Sequence, residues 1–535
     1  MVWLALATLL GAVLRFIRLG SIPIALYCDE ALHGYEAWSL LTTGRDRNGV
    51  LFPLVFDVFG IGWSEPLYIY LTVPAVALFG LTPLAARFVA AAAGTLAIPA
   101  AGLMAASLVR SAAPARRAPG KSPKPDGPDL AWWSGVGTAL LMATSPWPFH
   151  FSRIAFQASL LPLLLGAGFW LASSGLALEA PRARTRRLGA AGACLALTLY
   201  TYPVSRVAMP LLATAFAWTH RRELRRHRAS ALAAVVVLAA FALPMGWFSV
   251  TGRGLQRFSD VSIVAGMPGA SLGERAMVAA THYVSYLSPR FLLTDGQGDT
   301  NPRHGVEGHG VLHPHEVLLL IVGMVSCWRS RSPGGRFLVA WVLLFPVAAA
   351  LTVDPRHAVR ALVGVPGLQA VAGVGLARAI GWAREAVPGV RRRAAIAGLA
   401  LLAAGSAGGT ATYFHDYFAV WPSASAPFFQ YGLKEAYEYV DRVLPGHDSV
   451  YVTLNEDSPW IQLLFYRKVP PATYQKSQLS GLPYLFGEKE FYKGTRIPGR
   501  RNPIFVLKAY EVPGGVRPRE VIPYPDGSPA FVIGW

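Results

Sequence analysis

The chain is 535 residues long, 53% hydrophobic and only 15% charged, with a mean hydropathy of +0.38. Soluble domains need more charge than this to cover their surfaces, so the composition excludes an ordinary soluble protein and indicates one built in a membrane. A net charge of +19 would suggest nucleic acid in a soluble protein, but here the basic residues sit in clusters between apolar runs, and no nucleic-acid partner is predicted.

The first run, MVWLALATLLGAVLRFIRLG, lacks a basic leader and a small-residue cleavage site, so it predicts a permanent helix over 2–19 rather than a removed signal peptide. Residues 20–83 predict a long outer loop. It opens on LYCDEALHGYEAW, where Asp29 and Glu30 stand side by side just after the first helix, followed by Glu36, Asp46, Asp57 and Glu65. Within it, PLYIYLTVPAVALFG at 66–80 is short and broken by Pro66 and Pro74, which predicts a re-entrant or surface-lying helix.

A membrane-crossing helix needs about 20 mostly apolar residues. Further spans are predicted at 84–109, 131–148, 159–178, 188–203, 205–219, 229–250, 313–328, 337–353, 358–381 and 394–411, about eleven in all. The two crossings between 188 and 219 share so short a stretch that they must form a hairpin turning at TYPVSR. Basic clusters at 110–130, 182–187, 221–228, 329–336 and 384–393 fall on alternate connections, and the positive-inside rule puts all five in the cytoplasm. Counting 66–80 as a span would throw the first of them outside. The 110–130 loop, rich in Pro, Ala and Arg, is the one low-complexity segment. The outer face then carries the first loop, turns around HFSR, TYPVSR and DPRHAVR, a long loop from 251 to 312, and everything beyond 411.

In 430–444 apolar residues recur at helical spacing, and SVYVT, PIFVLK and AFVIG read as strands. The predicted fold class is therefore mainly α: a polytopic helical membrane domain over 1–411, followed by a small extracytoplasmic α/β domain over 412–535. Cys28, Cys194 and Cys327 form no pairing or metal pattern.

A carboxylate near the membrane boundary, partly desolvated, suits a general base, because burial raises its pKa toward the working range. Asp29 and Glu30 are the candidates. The structural alternative is that Asp29 is the N-cap of a helix over EALHGYEAWSLL. Arg153, Arg206, Arg356 and Arg360 are solitary and border predicted spans on the outer face. As a set they suit a phosphate held by bidentate hydrogen bonds, although each alone is explained by snorkelling or by pairing with an acid such as Asp354. The segment DTNPRHGVEGHGVLHPHE holds His304, His309, His313 and His315 with Glu307 and Glu316. Its donor density is compatible with a divalent metal ion, but its spacing matches no zinc pattern, and Arg303 with His304 suits a phosphate equally. Nucleotide-binding glycine motifs and a GxSxG elbow are missing from the sequence. Trp63, Tyr68, Tyr70, Trp132 and Trp133 are more simply interfacial anchors than a sugar-stacking platform.

Five stretches carry a resemblance: YCDEA after a helix ending LRFIRLG; EPLYIYLTVPAVALFGLTPLAARF; SPWPFHFSRIAF; LTLYTYPVSR; and DPRHAVRAL followed by a helix. Over about 1–411 the chain resembles the C-type (GT-C) polyprenyl-phosphate glycosyltransferases, the group containing protein O-mannosyltransferases and the transferases that add aminoarabinose to lipid A. The resemblance implies a multi-pass cell-membrane enzyme that takes a sugar from a polyprenyl-phosphate carrier and passes it, with inversion, to an acceptor on the extracytoplasmic face. It implies Asp29 as the base, with Glu30 beside it, and Arg153, Arg206, Arg303, His304 and Arg356, by their own placement, become the candidates for the lipid phosphate. Glu65 and Tyr68 become candidate substrate contacts.

Many relatives carry His-Pro-Pro or Lys-Pro-Pro where this chain has Ser64-Glu65-Pro66. An expected cation is thus replaced by Glu65, which leaves the phosphate to the arginines or to a metal held partly by Glu65. The tail shows no WWD signature of the oligosaccharyltransferase branch. The main alternative is a transporter or lipid flippase, which predicts ionisable groups buried mid-span or two related halves, and the sequence displays neither. A membrane scaffold whose outer domain recruits partners is a third reading. The sugar, and whether the acceptor is protein, lipid or polysaccharide, are left open by the sequence.

Overall fold

A computed structural model describes residues 1–110, 127–251, 262–296, 301–385, 389–487 and 500–535. Most of the basic 110–130 loop, part of the 384–393 cluster and parts of the 251–312 loop lie outside the described residues. Every predicted span is a helix: α1 (Val2–Phe16), α4 (Pro83–Arg110), α5 (Gly127–Thr144), α7 (Leu161–Leu176), α8 (Pro181–Leu197), α9 (Ser205–Thr219), α11 (Arg228–Val250), α13 (Pro314–Ser330), α14 (Pro333–Ala350), α15 (Val365–Glu385) and α16 (Val390–His415). Among the described residues, six helical stretches are long and apolar enough to cross a membrane outright. The crowded 188–219 region does form a hairpin. Its first helix, α8, gains length by starting at Pro181, inside the basic cluster, and Ser205 Oγ closes the turn by donating to the Thr198 carbonyl at 2.7 Å.

The bundle packs around α4 and α15, which touch α1, α5 and α7, and α5 and α13, respectively. Small residues permit these approaches. A Cβ on Gly323 of α13 would run into the Val371 carbonyl of α15, and one on Gly375 of α15 into the Leu319 carbonyl of α13.

The first connection is structured throughout. It contains α2 (Cys28–Thr43), a hairpin of β1 (Phe56–Val58) and β2 (Gly62–Ser64) with Asp57 opposite Trp63, and α3 (Leu67–Phe79). The run at 66–80 is thus a short helix that packs on α2 and α4. Buried Arg47 joins α2 to the hairpin by pairing with Glu36 and, at 2.6 Å, with Asp57, so both of those acids are structural. Short helices α6 (Pro146–Phe151) and α10 (Arg221–Arg226) fill two other connections. The 251–312 loop contains a helix the periodicity did not predict, α12 (Leu272–Tyr286), whose capping box joins Ser271 and Glu274.

The tail folds as a five-stranded sheet in the order β4 (Tyr484–Gly487), β3 (Ser449–Thr453), β5 (Pro503–Leu507), β7 (Pro529–Gly534), β6 (Pro518–Pro523). The first three are parallel, with Val450 beside Tyr484 and Ile504, and the last two are antiparallel. Helix α17 (Leu433–Val443) buries Leu433, Ala436, Tyr437 and Val440, the stripe its periodicity predicts. Two further helices, α18 (Pro459–Tyr466) and α19 (Pro471–Ser477), fasten the sheet to α2. Gly34 lets α18 approach so closely that a Cβ there would lie 2.7 Å from the Phe465 ring. Tyr35 Oη donates to the Val469 carbonyl, and Gln462 Nε2 to that of Leu26, each at 2.8 Å.

Candidate active site

A cavity of about 160 Å³ opens where the start of α2, the β2 edge, the α8–α9 turn and the segments around 303 and 357 meet. Asp29 lines it. Helix α2 begins at Cys28, and its N-cap position is Tyr27, so Asp29 is not the cap. Glu30 is the capping acid: its carboxylate accepts from the Tyr27 N–H at 3.1 Å. Glu30 also accepts from Arg87 Nε at 2.8 Å, Arg87 Nη2 at 3.0 Å and the Ala155 N–H at 2.9 Å, with both partners fully buried. Asp29, beside it on the next ray of the helix, is half-buried, and among the described residues its carboxylate makes no hydrogen bond or ion pair. His33 follows at i+4 on the same wall, its Nδ1 donating to the Ala155 carbonyl at 2.8 Å.

Two arginines and two histidines, Arg303, Arg360, His304 and His357, share the cavity lining with Asp29. The Arg303 guanidinium lies 3.4 Å above the Tyr27 ring centre, with Nη1 donating to the Phe428 carbonyl at 3.3 Å and Nε buried without a partner. The rings of His304 and His357 are 4.6 Å apart. Burial, then the positive charges of its neighbours His304, Arg360 and Arg303, hold the His357 pKa well below the usual imidazole range, so this ring is neutral. Arg360 pairs with Asp354 at 2.7 Å.

Arg206 pairs with Glu65 at 2.8 Å, next to Ser64 and one turn beyond Tyr202, both of which line the cavity. Arg206 also heads an apolar groove of about 740 Å³ between α9 and α14, walled by Val207, Leu211, Ala215, Ala340 and Leu344. Arg206 thus stands at the head of the groove, and its partner Glu65 is the chain neighbour of cavity-lining Ser64.

Other candidates lie elsewhere. Arg153 is fully buried and donates to the carbonyls of Leu14 (2.9 Å), Arg15 (2.8 Å) and Ile22 (3.1 Å). Tyr68 is buried and donates to the Ala86 carbonyl at 2.7 Å. Arg356 pairs with Asp295 at 3.5 Å, outside the cavity lining. The histidine-rich segment is split. His304 enters the cavity, His309 meets Asp416 at 2.8 Å, His313 stacks on His315, and Glu316 accepts from Ser145 Oγ at 2.9 Å. Among the described residues no group of three His, Cys, Asp or Glu side chains converges as a metal site. His33, Ser64, Gln157, Tyr202 and His357 were not anticipated. The signals available were the i, i+4 spacing of Asp29 and His33 and the place of Ser64, Tyr202 and His357 in the stretches singled out above.

Among the described residues the arginines and acids with no exposed surface are Arg15, Glu30, Glu36, Arg87, Arg153 and Glu316. Arg15 is in the last turn of α1 and Glu316 in the first of α13.

No protein-family profile and no curated protein sequence matches the chain. Solved structures do. ArnT from Cupriavidus metallidurans bound to undecaprenyl phosphate superimposes with a TM-score of 0.55 at 15% identity, covering 100% of this chain and 97% of that one. The archaeal oligosaccharyltransferase AglB from Archaeoglobus fulgidus, in complex with an inhibitory peptide and a dolichol-phosphate, gives 0.51 at 13% identity over 92% of this chain and 69% of that one. The Archaeoglobus fulgidus oligosaccharyltransferase tethered to an acceptor peptide gives 0.52 at 13% identity over 95% and 68%. At these identities the likeness establishes the fold, and the chain has that of the C-type (GT-C) polyprenyl-phosphate glycosyltransferases.

Proposed function

We propose that the protein is a membrane glycosyltransferase that moves a sugar from a polyprenyl-phosphate carrier to an acceptor on the extracytoplasmic face, with inversion and with Asp29 as general base. The observation that carries this reading is an Asp29 carboxylate without a partner among the described residues, sharing one cavity lining with Arg303 and Arg360, while Arg206, paired with the neighbour of cavity-lining Ser64, heads an apolar groove. The groove suits an isoprenoid chain, and the guanidiniums suit its phosphate. Undecaprenyl phosphate and dolichol-phosphate are the ligands named for the structures of like fold, which supports the same donor class here.

The chemistry follows from the placement. The acceptor's nucleophilic atom attacks the anomeric carbon from the side opposite the phosphate while Asp29 takes its proton. The bond from that carbon to the phosphate oxygen breaks, the sugar passing through oxocarbenium character. Charge growing on the leaving phosphate is met by Arg303 and Arg206, guanidiniums that need no reorganisation. Glu30 contributes by holding the helix start and Arg87, and so the position of Asp29.

The test is Asp29→Asn, with release of polyprenyl phosphate from glycosylated carrier as the readout. A general base contributes about 10²–10⁴-fold, so transfer should fall by at least about 10²-fold while undecaprenyl phosphate still binds. Full activity in that variant would refute the assignment.

A further inference from the structure

Among the described residues the C-terminal domain reaches the cavity lining at two points, the Phe428 carbonyl that accepts from Arg303 and the Asp457 carboxylate. Tyr27 Oη donates to the Asp457 carboxylate at 2.8 Å, linking the last residue before α2 to the loop between β3 and α18. Burial, the largest cause, pushes the Tyr27 pKa far up, so the phenol remains the donor. The same ring is the platform on which the Arg303 guanidinium lies at 3.4 Å. Asp457 is itself held, its carbonyl accepting from Gln430 Nε2 at 2.5 Å, and Gln430 accepts in turn from buried Gln462, which also grips the Leu26 carbonyl. A planar guanidinium stacked on an aromatic ring takes its orientation from that ring. Among the described residues only the Phe428 carbonyl otherwise fixes its Nη1, and its Nε has no partner.

We propose that Asp457 is a positioning residue that acts through Tyr27 to aim Arg303 into the cavity, making the C-terminal domain part of the donor-phosphate site. This rests on the reading of Arg303 as a phosphate ligand.

The experiment measures undecaprenyl phosphate affinity of the full-length protein in nanodiscs for R303A, D457A, D457N and Y27F, and for the double variant D457A/R303A. R303A should weaken binding strongly. D457A and Y27F, which keep the guanidinium but release its platform, should each weaken it about 3- to 10-fold, the range of a typical net hydrogen bond acting at one remove. D457N, which can still accept from the phenol, should restore most of the affinity. In the double variant the D457A penalty should vanish, because there is no guanidinium left to aim. A D457A loss that persists undiminished in the R303A background, or that D457N fails to rescue, overturns the positioning role, as does wild-type affinity in D457A. Wild-type affinity in R303A would overturn both this inference and the phosphate reading beneath it, so the two failures are distinguishable.

Discussion

Asp29 and Glu30 are chain neighbours with opposite fates, and a rotation of about 100° around α2 separates them. Glu30 turns inward to Arg87 and the helix start, and Asp29 turns into the cavity. The sequence made the pair conspicuous but could not divide the roles, because the deciding partner, Arg87, is far along the chain. Arg206 raises a similar question of occupancy. Its guanidinium, 20% exposed, faces the nearly buried Glu65, which competes with any phosphate. Glu65→Gln should therefore tighten undecaprenyl phosphate binding by about 3- to 10-fold, the scale of one partly buried ion pair. Equilibrium titration in nanodiscs checks this, and weaker binding would mean that Glu65 orients Arg206 instead. His150 offers a pH prediction. Burial, the dominant cause, lowers its pKa to about 4, while its Nε2 donates to the Arg303 carbonyl at 2.7 Å. A folded pKa below the unfolded value near 6.5 means stability that is complete above pH 6.5 and lost as pH falls toward 4, on the order of 3 kcal/mol. His150→Gln should flatten that acid limb in thermal unfolding curves; an unchanged limb would assign the loss to other groups.

Elements show which signals survive translation into structure. SVYVT, PIFVL and AFVIG became β3, β5 and β7 because central strands carry continuous apolar runs. The edge strands β4 and β6 were not predicted: β6 is mostly exposed and begins and ends with proline, so its pattern resembles a loop. Helix α12 was overlooked although Ser271 and Glu274 spell a capping box, because its apolar residues also face outward and blur the 3.6 period: Leu272, Met277 and Val284 are all exposed. The α13–α15 contact yields a prediction. Gly323→Leu would drive a side chain into the Val371 backbone, which cannot give way as a flexible side chain would. The variant should lose more than about 2 kcal/mol, read as a lower thermal midpoint in detergent. An unaltered midpoint would mean the two helices separate at little cost.

At the scale of the whole molecule, the alternation of basic and non-basic connections predicted where the helices lie along the chain, and each predicted span is helical. The basic segments at the starts of α8, α11 and α14 lie at the helix ends away from the cavity. What no periodicity reports is docking: the contact of α18 and α19 with α2 brings together segments that are hundreds of residues apart. The groove between α9 and α14 belongs to this scale too, because a donor needs both its head and its chain accommodated. Thr214→Trp should obstruct the groove and weaken undecaprenyl phosphate binding at least about 10-fold, while a phosphate on a short isoprenyl chain binds as before. Equal losses for both ligands would show that the substitution had disturbed the cavity itself.

Helix α16 leads from the bundle into the C-terminal domain, yet its most apolar stretch is 0% buried within the protein, and a cleft of about 630 Å³ parts it from α5, α13 and α15. It is a tether. The sheet keeps its station by its own grip on α2, so a solvent that strips lipid from α16 would slacken the strap without detaching the load it carries.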